Sequence, residues 1–97
     1  MEKPSPGFQL RWDRRKAAAN LRKHRVSFEE AGSVFDDPLA LTIPDPDHSI
    51  DERRFLTIGL SSKQRLVLVA HTDEPGVIRI ISARIPTPSE RDDYESG

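Results

Sequence analysis

A chain of 97 residues supports one domain, and so short a chain keeps a large share of its surface wet, which makes any site on it shallow. Charged residues (32%) nearly match hydrophobic ones (35%), but apolar stretches such as 26–34 and 66–70 argue for a folded core and against disorder. With no cysteine, disulfides, thiol catalysis and cysteine-ligated metal are excluded. With neither a signal-peptide-like start nor a window near the roughly 18 apolar residues of a membrane span, a soluble protein in the cytoplasm is expected.

The net charge of −1 conceals segregation. Residues 1–25 carry eight Lys/Arg against two acids, and residues 26–52 carry eight acids and no Lys/Arg. Residues 53–84 are basic again and residues 85–97 acidic again. Such blocks can set a basic surface beside an acidic one, suited to a polyanion or an oppositely charged partner, although solvated helix faces give the same pattern.

In chain order, residues 1–7 read as a flexible N-terminus and residues 8–97 as the single domain. Phe8 to Trp12 alternates apolar and polar residues like an edge or first strand. Asp13 sits where a helix N-cap is wanted, and Arg14 to Lys23 favours helix, with Ala17, Ala18 and Leu21 as its core-facing stripe. Ser27-Phe-Glu-Glu30 reads as a capping box opening a second helix, which Pro38 stops.

Leu39 to Ile43 reads as a short strand and Pro44 to Ser49 as an exposed loop. Arg53–Leu60, Arg65–Asp73 and Val77–Arg84 form a meander, and Ser89 is expected to cap a last short helix bearing Tyr94. The fold class is therefore α+β: an antiparallel sheet of about four to five strands, two N-terminal helices and a short C-terminal one.

Loop lengths give a register. A three-residue loop at 74–76 sets His71 opposite Arg79, and a four-residue loop at 61–64 sets Arg54 opposite His71. Directly opposed residues share a face about 5 Å apart, so Arg54, His71 and Arg79 are expected in one row. Three potentially cationic groups so placed repel unless a ligand such as phosphate joins them. The competing reading has the arginines splayed into water or paired with Asp51, Asp73 or Glu74, and His71 neutral. Asp45, Asp47, His48, Asp51 and Glu52 match no metal-ligand spacing and read as a solvated loop.

Three ordered stretches carry a resemblance. They are Trp12-Asp13 with Lys16, Asn20 and Lys23-His-Arg-Val-Ser-Phe-Glu-Glu-Ala31; Arg54-Phe-Leu-Thr-Ile-Gly59; and Arg79-Ile-Ile-Ser-Ala-Arg84. Together, over about Phe8 to Tyr94, the chain resembles the BrnT toxin family. That resemblance implies a RelE-like fold, RNA cleavage that inhibits growth, and a BrnA-like ribbon-helix-helix antitoxin through which operator DNA is bound. It further implies no cofactor, no membrane association and a possible homodimer within the complex.

Carried onto this sequence, Arg54, His71, Arg79 and Arg84 are the expected catalytic residues, and Lys23, His24, Thr72, Ser82 and Tyr94 the expected RNA-binding ones. Arginine cannot act as a base, so the three arginines are cast as stabilisers of phosphorane charge and His71 as the acid or base in a metal-independent attack by the ribose 2′-hydroxyl. Two departures stand out: Arg25 where the family usually has glycine, and the acidic segment after Arg84. They leave open the alternative of an inactive module that binds the antitoxin and acts as co-repressor.

Overall fold

A computed structural model describes residues 9–47 and 53–96, so the flexible start expected for residues 1–7 lies outside the described residues. A five-stranded sheet in the order β1-β5-β4-β3-β2 carries two helices on one face and part of a third on the other. The strands are β1 (Gln9–Arg11), β2 (Leu41–Pro44), β3 (Arg54–Leu60), β4 (Leu66–Thr72) and β5 (Val77–Arg84). The helices are α1 (Arg14–His24), α2 (Phe28–Ser33) and α3 (Pro88–Ser96), with a single 3₁₀ turn at Val34–Asp36. The expected α+β class holds. The sheet is mixed, however, because edge strand β1 runs parallel to β5.

Local chemistry explains the helix starts. The Asp13 carboxylate accepts from the N–H groups of Arg15 and Lys16 at 2.7 and 3.1 Å, satisfying two of the orphan donors of α1. Ser27 accepts from the Glu30 N–H at 3.0 Å, as its box predicts, but the Glu30 carboxylate does not reach back. It turns inward, where Ser61 Oγ donates at 2.7 Å and Arg65 donates through Nε and Nη2 at 2.7 and 2.6 Å. Arg65 Nη2 also donates to the Arg25 carbonyl, closing a tie from α1 and α2 to the β3–β4 turn.

The reciprocal box forms instead at α3. Thr87 Oγ1 accepts from the Glu90 N–H while Glu90 Oε1 accepts from the Thr87 N–H, so Thr87 is the cap in place of Ser89, with Pro88 following as the first helical residue.

The core lies between the sheet and the α1–α2 layer: Val26, Phe28, Ala31, Val34, Val67, Val69, Ile80 and Ala83. Only Ala17 of the expected α1 stripe packs against it; Ala18 is exposed and Leu21 is 48% exposed. The residue α1 buries is Asn20. Its amide donates to the carbonyls of Val26 and Ala83 and accepts from the Ala83 N–H, locking α1 to β5 with two bonds and to the segment before α2 with a third, none of which a leucine could make. Gly59 is held to its size by close approach, since a Cβ there would stand 2.8 Å from Val34 Cγ1.

Candidate functional site

Both turns are one residue shorter than counted. Ser61 N–H donates to Arg65 C=O, and Gln64 adopts a left-handed φ of 65°, leaving a three-residue loop that pairs Leu60 with Leu66. At the next turn Glu74 and Val77 exchange both backbone bonds around Pro75-Gly76, and Gly76 has the φ of +77° that the third position of a type II turn demands. A one-residue slip moves a strand's side chains to the opposite face. Arg54 therefore faces Thr72, and His71 faces Phe55 and Ile80.

This corrects the expected row. His71 points into the helix-covered side, is 3% exposed, and meets the Phe35 ring edge-on at 4.9 Å. The two miscounts cancel for the outer strands. The register set by His71↔Ile80 and Glu74↔Val77 brings Thr72 level with Arg79, so Arg54 and Arg79 still flank one position, now held by Thr72. The parallel pairing of β1 extends the row, because Arg11 is in register with Arg79. Sequence reasoning missed Arg11: alternation places it on the Gln9 face, but nothing local names β5 as its parallel neighbour.

The row crosses the sheet face opposite α1 and α2. Arg11 and Arg79 are exposed and Arg54 is half-buried. Thr72 is 6% exposed, and its hydroxyl finds no hydrogen-bond partner among the described residues. It borders a cleft of about 290 Å³ shared with Arg53, Asp73, Glu74 and Pro75. A buried hydroxyl without a partner forfeits roughly 1–3 kcal/mol, and this one lies level with two guanidiniums.

Beneath the row, His71 Nδ1 lies 3.0 Å from the Thr72 carbonyl and must donate to it. In the neutral ring Nε2 is then an acceptor, to which the Thr57 hydroxyl donates at 2.7 Å, and Thr57 in turn accepts from Thr42 at 2.7 Å. Burial pushes the His71 pKa below the usual histidine range, opposed by the bond to Thr72 and the charge of Asp73. The imidazole thus holds the Thr72 backbone from behind and does not reach the open face.

The remaining expected residues are dispersed. Ser82 faces Ala70 and Arg84 faces Leu68, on the open side but farther along β5; Arg84 is five positions beyond Arg79, at most about 16 Å of extended chain. Both arginines reach the open face because Ile81 is an extra residue, a bulge marked by the register shift between Ala70 and His71. Arg84 is clamped by Glu90 through two 2.9 Å bonds, and that guanidinium holds the Glu90 carboxyl down at about 2. Tyr94 donates to Asp37 at 2.6 Å, tethering α3 to the loop after α2 and leaving it outside the row. Lys23 and His24 end α1, in the helix layer. Of the acidic loop, Asp45 is buried and accepts from the Asp47 N–H, while His48, Asp51 and Glu52 lie outside the described residues.

Helices thus clothe one face of the sheet, and Arg54, Arg79 and Arg11 stand level with one another across the other. A family model described as "Ribonuclease toxin, BrnT, of type II toxin-antitoxin system" matches residues 12–90. The chain belongs to the BrnT family of ribonuclease toxins, and as a type II toxin it implies an antitoxin partner. In fold it is similar to the crystal structure of the Brucella abortus ribonuclease toxin BrnT, with a TM-score of 0.64 and 19% identity over 82% of this chain and 97% of that one. No curated protein gives a significant match. No helix among the described residues is long and apolar enough to cross a membrane.

Proposed function

We propose that this chain is itself an active, metal-independent endoribonuclease whose reaction is carried by Arg54, Arg79 and Thr72. The ribose 2′-oxygen attacks the adjacent phosphorus and the bond to the 5′-oxygen breaks, leaving a 2′,3′-cyclic phosphate and a 5′-hydroxyl. The 2′ proton passes to solvent and the leaving oxygen takes one from water. Arg54 and Arg79 stabilise the charge that grows on the phosphorane, and the Thr72 hydroxyl donates to the same oxygens. The observation that carries this reading is the unpartnered, buried Thr72 hydroxyl level with both arginines.

His71 is a positioning residue here, acting through its bond to the Thr72 carbonyl, and Arg84, Ser82 and Tyr94 stand outside the reacting group. RNA cleavage is measured in the presence of a chelator. Arg79→Ala is expected to lower kcat by about 10²–10³, the scale of losing one transition-state donor, and His71→Gln to stay within roughly tenfold of wild type. Activity abolished by the chelator, or an Arg79→Ala rate equal to wild type, overturns the assignment.

In the cell, the proposed partner is a BrnA-like ribbon-helix-helix protein that carries the toxin to operator DNA in the cytoplasm, with the toxin paired as a homodimer inside that complex. A second reading, a weak nuclease retained as co-repressor, draws on the Arg84–Glu90 clamp, which takes one of the expected catalytic cations out of service.

A further inference from the structure

The geometry points to a phosphate track that continues from the row over edge strand β1 onto the first turn of α1, so that the protein holds several consecutive phosphates of single-stranded RNA on one side of the cut. This rests on the ribonuclease reading above and adds where the substrate runs.

Three cations, Arg54, Arg79 and Arg11, lie level across β3, β5 and β1, with Thr72 of β4 between the first two and adjacent strands about 4.8 Å apart. That spread is too wide for one phosphodiester. Beyond Arg11 the chain turns through Trp12, seated edge-on against Phe28, and enters α1 at Arg14, no more than about 10 Å of chain away. Arg14, Arg15 and Lys16 are all exposed.

Those three charges are badly placed for the helix. The N-terminal end of a helix carries partial positive charge and disfavours cations, and α1 has no acid in its first turn. Arg22, Lys23 and His24, at the other end, suit the helix dipole and need no ligand to explain them. Between Arg11 and Glu29 the only acid is Asp13, and its carboxylate is engaged by the backbone of Arg15 and Lys16. The acids of residues 36–47 fall instead around β2, at the far edge of the sheet. The exposed cations at the start of α1 thus adjoin the β1 end of the row around the sheet edge, and an extended polyanion that wraps this edge is the ligand that uses all of them.

The test compares wild type with Arg14→Gln/Arg15→Gln and with a control of equal charge change, Arg22→Gln/Arg91→Gln. Binding is read by fluorescence anisotropy on 2′-O-methyl RNA, which lacks the attacking hydroxyl, as an oligomer of about twelve nucleotides and as a trinucleotide. The track double variant is expected to bind the longer RNA roughly tenfold more weakly, with its salt dependence shallower by about 1.4 for two lost phosphate contacts. Its trinucleotide affinity, and both affinities of the control, stay within about twofold.

An unchanged affinity and slope for the longer RNA overturns the track, as does an equal loss in the control, which marks diffuse charge alone. Unchanged RNA binding with weakened antitoxin binding overturns it in favour of a protein-docking helix. Length-dependent binding without cleavage of unmodified RNA leaves the track standing and overturns the catalytic reading instead.

Discussion

Arg65 and Arg79 belong to neighbouring parts of one sheet and meet opposite circumstances. Arg65, at the entrance to β4, is saturated: two bonds to Glu30 and a third to the Arg25 carbonyl. Arg79, on β5, is exposed, meets no carboxylate among the described residues, and lies in register with a second arginine. The first arrangement secures α2 to the β3–β4 turn and contributes to folding. The second opposes folding mildly, through like-charge repulsion and the idle Thr72 hydroxyl, and is the kind of arrangement a ligand relieves. Charges saturated by the fold and charges that meet no carboxylate among the described residues are thus separable by their partners.

Removing Arg65 tests the structural end of that contrast most severely. Arg65→Ala strands the 3%-exposed Glu30 carboxylate, and unfolding in denaturant is expected to show a loss of about 2–3 kcal/mol, the cost of an orphaned buried charge discounted for the partly exposed arginine. RNA cleavage per folded molecule should not change. A stability loss under about 0.5 kcal/mol would dissolve the distinction.

Thr72→Val sharpens the functional end, because its two effects carry opposite signs. Removing an unsatisfied buried hydroxyl at constant shape is expected to raise stability by up to about 1 kcal/mol, while cleavage falls roughly tenfold. A variant that is less stable and equally active would show that the hydroxyl already has its partner in the fold.

The smallest effect concerns Glu90, whose carboxyl is lowered to about 2 first by Arg84, then by the Thr87 N–H. A depressed folded pKa gives stability that is present above the ordinary glutamate pKa near 4.5 and is lost as pH falls toward 2. Glu90→Gln should flatten the acid limb of thermal unfolding between those values by no more than about 1 kcal/mol, since the pair is partly exposed. His71 works in the same direction at higher pH. Buried and neutral, it contributes above about 6.5 and is expected to weaken the fold as pH drops below that.

The elements were largely legible in the sequence because their signals are local: Asp13 and Ser27 cap the helices as read, and the meander strands fall within a residue of their expected ends. The register was not, because it turned on a single residue in each hairpin. Gln64 in the left-handed region and the tight Pro75-Gly76 turn each shortened a loop by one, exchanging His71 for Thr72 on the open face. Arg54 and Arg79 survived because the two slips compensate. What depended on distant partners was illegible: Glu30 reads as half of a capping box, and nothing near it names Arg65, 35 positions away.

The extra residue at Ile81 has a bearing on how relatives are lined up. By simple alternation Arg79 and Arg84 would project to opposite sides of β5, yet both emerge on the open one while Ile80 and Ala83 both enter the core. The two halves of that strand therefore keep separate phase, one anchored at the Pro75-Gly76 turn and the other by the Asn20 clamp on Ala83. A homologue lacking the insertion would need any arginines at these places matched in two pieces, since sliding the whole strand as a unit would trade an interior aliphatic for a cation.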